Sequence, residues 1–328
     1  MSHNLSSGII SAAVLPFEDN GAIDWKTLER YIIQVAAGDP RAIAMNMAVS
    51  EVSSLEVSEQ LEVIRRCKAT LAGGCTLLSG LNVTHTAAAV DHARRLVDAG
   101  AEGLVIFPPV PAFLSAPSVS MILDYHSAVA EAVRVPLLAF QTNFCSYPKG
   151  TIAALSQIPS IVAIKDASFN VEQTLDNVKE ANSAKRKIGV LTGSDTFILE
   201  AMLMGCDGAL IGFAATGTAE LVRMHTYATQ GKITEAYEIW GKLGPLARIC
   251  WRQPIRDYRV RTKYALMKQG VLPNFKVRAP FPAIADADRA DIDQAFRDHD
   301  LGNPRFLPAG AQSAPRIRAE ARSAAAAK

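Results

Sequence analysis

Residues 161–168 read Ile-Val-Ala-Ile-Lys-Asp-Ala-Ser, so Lys165 closes a short apolar, β-branched run and is followed by Asp166. Runs of this composition read as buried strands of a parallel sheet. A lysine at the end of such a strand stands at the edge of a low-dielectric interior, where the ammonium is disfavoured and its pKa falls. A neutral amine is a nucleophile that forms a Schiff base with a carbonyl substrate. The plainer role for the same residue is a stem that packs while its head reaches water. The position of Lys165 in the fold decides between the two.

That position follows from the elements around it. Strand-like runs at Gly8–Val14, Ala42–Met47, Thr76–Leu81, Gly103–Phe107, Pro136–Gln141, Ile161–Lys165, Ile188–Thr192 and Ala209–Phe213 alternate with helix-period stretches such as Trp25–Ala36, Ser58–Leu71, Thr86–Ala99, Val119–Val133 and Phe197–Met204. Eight strands, each followed by a helix, are the count of a (β/α)8 TIM barrel. A doubly wound sheet would carry a G-x-G-x-x-G turn after its first strand, whereas here that strand runs into Leu15-Pro16-Phe17. The barrel is expected over residues 1–230, and a region of additional C-terminal helices over 231–300, with helices within Ile233–Gln269 and Ala287–His299. Residues 301–328, rich in Ala, Pro, Arg and Ser, are expected to be a disordered tail.

In such a barrel the active site is built at the C-terminal strand ends and the loops after them. Lys165 then lies at the end where chemistry happens. The same ends present Asn46 to Glu51 after strand 2, Phe140 to Asn143 after strand 5, Thr192 to Asp195 after strand 7, and Gly212 to Ala215 after strand 8. Asp166, by strand alternation, points away from Lys165 and reads as structural. Ser194 and Asp195 precede a helix and read as its N-cap.

Composition narrows the remaining classes. With 328 residues, 49% hydrophobic and 20% charged, the chain is globular. A net charge of +2 gives no argument for nucleic acid or an anionic membrane. No apolar stretch approaches the roughly 18 residues of a membrane span, and the N-terminus lacks the pattern of a signal peptide, so a cytoplasmic location is expected. The five cysteines are widely spaced with no C-x-x-C, which favours reduced thiols. The six histidines show no metal-ligand spacing, so no metal is expected, and no bound cofactor is implied because the lysine imine fills that role.

The chain resembles the dihydrodipicolinate synthase / N-acetylneuraminate lyase family, Schiff-base-forming class I aldolases on a barrel with extra C-terminal helices. The resemblance covers about residues 8–300. It rests on Pro16-Phe17, on Ser50–Leu55 (S-E-x-x-S-L), on Ile161–Ser168 (I-x-x-I-K-D-A-S), on Thr192–Asp195 (T-G-x-D) and on Gly205–Gly208 (G-x-D-G). It implies that Lys165 attacks C2 of pyruvate or another 2-oxo acid and that the protonated imine then acts as an electron sink. A homo-oligomer, dimer or tetramer, is implied as well.

Departures from the family pattern fall in its known machinery. The two threonines whose hydroxyls help to hold the substrate carboxylate correspond to Ala48 and Val49. The strand-5 tyrosine that relays protons corresponds to Phe140, and a phenyl ring carries no exchangeable proton. The aromatic pair after strand 4 is replaced by Pro109 and Val110. Authentic dihydrodipicolinate synthesis is therefore not expected. Tyr147, in the loop after strand 5, is the candidate replacement relay. Asn46, Ser50, Gln141 and Thr142 are candidates for binding substrate beside Phe140. Glu51 reads as a buried structural acid. Two functions follow as alternatives: a lyase, aldolase or hydro-lyase on a 2-oxo acid, or a catalytically weakened barrel that binds a small organic acid or a protein partner. A metal-dependent barrel aldolase is disfavoured by the scattered histidines.

Overall fold

Eight parallel strands close into a barrel in the order β1-β2-β3-β4-β5-β6-β7-β8 in the computed structural model, which describes residues 4–109 and 117–302. Val110 and nearly all of the expected tail lie outside the described residues. The strands are β1 (Gly8–Ala12), β2 (Ala42–Met45), β3 (Leu77–Leu81), β4 (Gly103–Ile106), β5 (Leu137–Thr142), β6 (Ile161–Ala167), β7 (Gly189–Thr192) and β8 (Gly208–Ile211). Most are shorter than their apolar runs by one or two residues. β6 differs, continuing past Lys165 to Ala167 because β5 also runs on to Thr142 and pairs with it there.

The outer ring comprises α1 (Trp25–Ala37), α2 (Val57–Leu71), α3 (Thr86–Asp98), α4 (Val119–Ala132), α5 (Thr151–Leu155), α6 (Val171–Ser183), α7 (Ile198–Leu203) and α8 (Thr218–Thr229). Polar side chains start several of them: Asp24, Ser118 and Asn170 each accept an N–H three residues on, satisfying a donor the first turn leaves open. Every residue of β1 to β4, β7 and β8 is buried, as strands enclosed by helices on one side and the barrel interior on the other must be. The five cysteines are buried free thiols. Among the described residues no helix is long and apolar enough to cross a membrane.

After the barrel come α9 (Ile233–Cys250), α10 (Tyr258–Lys268) and α11 (Asp286–Asp298). The apolar stripe of α9, with Ile239, Leu243 and Leu246, is buried against this chain's own barrel, in a cluster with Ile9, Ile211 and Leu221. α10 is fixed on both sides. Arg261, 1% exposed, donates through Nε to Asp288 of α11 at 2.8 Å, and Arg252 shares that carboxylate at 2.6 Å. Lys263 reaches across to the barrel and ion-pairs with Glu51, in the loop after β2.

Glu51 is thus the structural acid its sequence context suggested. Its second oxygen accepts the N–H of Arg278 at 2.9 Å, and Lys263 gives a further proton to the carbonyl of Lys276 at 2.7 Å. Burial holds the Lys263 ammonium down to about 8 despite its partner. Removing one member of a buried pair leaves an uncompensated charge. Glu51→Ala is therefore expected to lose about 3–5 kcal/mol in urea unfolding. The pair couples α10 to the β2 loop, so the loss should also loosen the active-site mouth.

Candidate active site

The register of β5, β6 and β7 places Phe140, Lys165 and Leu191 side by side, and Gln141, Asp166 and Thr192 one step further. Side chains alternate across a strand, so the first row and the second face opposite ways. Lys165 and Phe140 point into a cavity of about 360 Å³ at the C-terminal mouth of the barrel. Lys165 Nζ sits 4.4 Å from the centre of the Phe140 ring, which itself packs edge-on against Phe107 at 4.9 Å. A larger cavity of about 680 Å³, lined by Arg134, Pro136 and Ser160, opens at the starts of β5 and β6, the end of a barrel where stability rather than chemistry resides.

Lys165 is 8% exposed, and among the described residues its Nζ makes no hydrogen bond and no ion pair within 4.0 Å. Desolvation lowers its pKa to about 8, partly opposed by attraction to the Asp195 carboxylate. Asp195 lines the same cavity, is 4% exposed, and accepts the Phe213 N–H at 2.8 Å. Burial raises its pKa to about 7, against the lowering effects of that N–H and of Lys165. Each charge favours the ionised form of the other, so the two groups titrate together across the cavity. The N-cap reading of Asp195 is corrected: α7 begins after Phe197 with no side-chain cap, and the carboxylate ties the loop after β7 to the one after β8.

The lysine needs the room that Gly193 leaves. A Cβ there would stand 2.7 Å from Lys165 Cε and 2.8 Å from the Ala167 Cβ. Ala167 cannot yield, so the lysine would have to move. Gly193→Ala is expected to lower imine formation by about 100-fold, the scale on which an ångström of misplacement acts. Rates of adduct formation, with unfolding as a control for stability, check this.

Thr142 lines the cavity as expected, while four other candidates do not. Gln141 belongs to the outward row: it donates to Asp166 at 3.1 Å and accepts the Tyr147 N–H at 2.8 Å. The Tyr147 hydroxyl folds back outside the barrel, donating to the Phe140 carbonyl at 3.0 Å and lying 3.4 Å from His126 Nε2. It is buried, its pKa is raised by desolvation, and it cannot reach the lysine's cavity as a relay. Asn46 donates to Ser79 Oγ at 3.0 Å and to the Gln60 carbonyl at 3.1 Å. Ser50 donates to the Ala13 carbonyl at 2.7 Å and accepts the Met47 N–H. These bonds hold the β2 loop together, and neither residue lines the lysine's cavity; Asn46 Oδ1 is buried with no hydrogen-bond partner among the described residues. Asp166 is structural, accepting from Ser168 N–H and Thr174 Oγ1.

The wall opposite the strands is built from residues that sequence reasoning missed. Trp251, Tyr258 and Arg259 come from the end of α9 and the start of α10. Trp251 and Tyr258 stack at 5.1 Å, and Trp251 closes over Gly212, where a Cβ would meet its ring at 2.9 Å. The only sequence signal for this wall is an aromatic and basic cluster beyond the barrel, which strand-end reasoning does not reach.

Comparison with known proteins agrees with this architecture. The chain is 26% identical over 294 residues to a 4-hydroxy-tetrahydrodipicolinate synthase of Pseudomonas syringae pv. syringae, covering 89% of this chain and 97% of that one. It is 29% identical over 299 residues to the enzyme of that name from Pelodictyon phaeoclathratiforme, with 90% and 97% covered. The structure of the chloride-inhibited dihydrodipicolinate synthase of Acinetobacter baumannii, complexed with pyruvate, superposes with a TM-score of 0.81 at 24% identity, over 90% of this chain and 99% of that one. The sequence profile of the Dihydrodipicolinate synthetase family matches residues 5–298, and the chain belongs to that family.

Proposed function

We propose that this protein is a Schiff-base lyase acting on pyruvate or another 2-oxo acid through Lys165. The observation that carries the reading is the desolvated amine of Lys165, free of any ion pair among the described residues and open to the cavity, with the Asp195 carboxyl lining the same cavity. Nζ adds to C2, and the carbinolamine loses the former carbonyl oxygen as water to leave a protonated imine. The imine withdraws electrons, so either a C3 proton or a C3–C4 bond can be released. Asp195, neutral or ionised at little cost near pH 7, takes the amine proton before attack and holds it for the departing oxygen.

The reaction proposed is other than 4-hydroxy-tetrahydrodipicolinate synthesis. Phe140 stands beside the lysine with no hydroxyl, and Ala48 and Val49 line the cavity where the family's threonines would be. Assembly as a homo-oligomer belongs to the same proposal and rests on the family resemblance alone. Exchange of the pyruvate methyl protons with D2O, followed by NMR, tests the function. Exchange catalysed by the parent and absent in Lys165→Ala supports it. An imine that forms without exchange would favour the alternative, a barrel that binds a 2-oxo acid without turnover.

A further inference from the structure

The side chains of the β2 loop offer a substrate carboxylate no donor, since Ala48 and Val49 lack hydroxyls and the Asn46 amide N–H groups and Ser50 hydroxyl donate within the protein. A cation occupies the neighbourhood instead. Arg259 of α10 lines the lysine's cavity and donates through Nε to the Ala48 carbonyl at 2.7 Å. Its guanidinium lies over the ring of Tyr258 at 4.6 Å and that of Phe281 at 4.3 Å, contacts that restrain it before any ligand arrives. Nη1 also donates to the Arg256 carbonyl at 3.2 Å. Two of five N–H donors are thereby used, and among the described residues no carboxylate lies within 4.0 Å.

Arg256, the other arginine on this wall, is more exposed and already paired with Asp257 at 3.3 Å. Among the described residues the ionisable groups lining the cavity are Lys165, Asp195, Arg256, Tyr258 and Arg259, an excess of positive charge that suits an anion. A planar guanidinium with adjacent free donors matches a carboxylate in two parallel hydrogen bonds, which an ammonium cannot do.

We propose that Arg259 binds the carboxylate of the 2-oxo acid, supplying from α10 the side-chain donors that the β2 loop has lost. This rests on the Schiff-base reading for the identity of the ligand, but its test does not depend on an imine. Calorimetric affinity for pyruvate is measured in the parent, Arg259→Gln and Arg259→Lys. In parallel, the concentration dependence of borohydride trapping is compared for pyruvate and for hydroxyacetone, a ketone without a carboxylate. Truncating one member of a desolvated charge pair is expected to weaken pyruvate binding by about 100-fold in Arg259→Gln, with a partial recovery in Arg259→Lys. Trapping of hydroxyacetone should be unchanged.

Equal loss for both ketones would make Arg259 a staple for the β2 loop and overturn the proposal, as would unchanged pyruvate affinity. Absence of any adduct in the parent would instead refute the imine, leaving the calorimetric comparison to decide Arg259. Should Arg259→Gln fold poorly, Arg259→Lys, which keeps the charge and the stem, carries the same comparison.

Discussion

Lys165→Met is expected to abolish turnover while making the protein more stable at mildly acid pH. Removing a covalent nucleophile removes the reaction path, and losses on the order of 10⁶-fold are the scale for such a deletion. The stability gain has a separate cause. Lys165 is 8% exposed and its amine is held down to about 8 by desolvation, so at pH 6 a buried ammonium is maintained beside a largely protonated Asp195. A thioether of similar length relieves that burial, worth on the order of 1 kcal/mol as such trade-offs between activity and stability go.

The sign of the pH dependence follows from linkage. Asp195 binds its proton more tightly in the folded protein, so stability falls as pH rises towards about 7 in parent and variant alike. Above 7 the variant continues to lose stability, because its carboxylate no longer has an ammonium to favour ionisation. From about 8 the parent gains, because its folded amine gives up a proton that the unfolded chain keeps until about 10.5. The advantage of Lys165→Met should therefore be widest below pH 7 and shrink above it. Urea unfolding across pH 5.5–9.5 checks this, and a variant less stable than the parent at pH 6 would contradict the buried-ammonium account.

Asp195→Asn is the second large effect. The amide keeps an acceptor for the Phe213 N–H but cannot take a proton, so methyl exchange in pyruvate should fall by about 10²–10⁴-fold, the usual contribution of a positioned acid or base. The direction of the pH shift separates this from structural damage. Asp195 is the group whose charge raises the lysine's pKa against desolvation. Without it the amine should deprotonate at lower pH, and the rise of adduct formation should move below about 8 while its maximal rate drops. A slower enzyme with an unmoved profile would assign Asp195 to holding the β7 and β8 loops together and nothing more.

The barrel and its lysine are legible in the sequence because both depend on local pattern. Apolar β-branched runs mark the strands, and the strand-end rule places Lys165, Phe140 and Thr142 at the cavity. Gln141 shows the limit of that rule: a strand's period of two turns every second residue of its end outward. Tyr147, Asn46 and Ser50 lie away from the cavity for another reason: each has an acceptor within the protein for its donor group, and residue type does not reveal that the donor is already engaged. Asp195 read as a cap because an acid before a helix usually is one. Its closeness to Lys165 depends on β7 lying beside β6, which is a fact of tertiary structure. Arg259 was hidden furthest, since only the docking of α10, fixed by Glu51–Lys263 and Arg261–Asp288, brings it to the mouth.

The central claim is that Lys165 forms an imine with a 2-oxo acid. Its most direct measurement is to incubate the folded protein with pyruvate, reduce with borohydride, digest, and locate the mass adduct by peptide sequencing. A single adduct on Lys165, absent in Lys165→Met, is the expected result. No adduct with pyruvate or a panel of 2-oxo acids, or an adduct spread over surface lysines and unaffected by Lys165→Met, would contradict it.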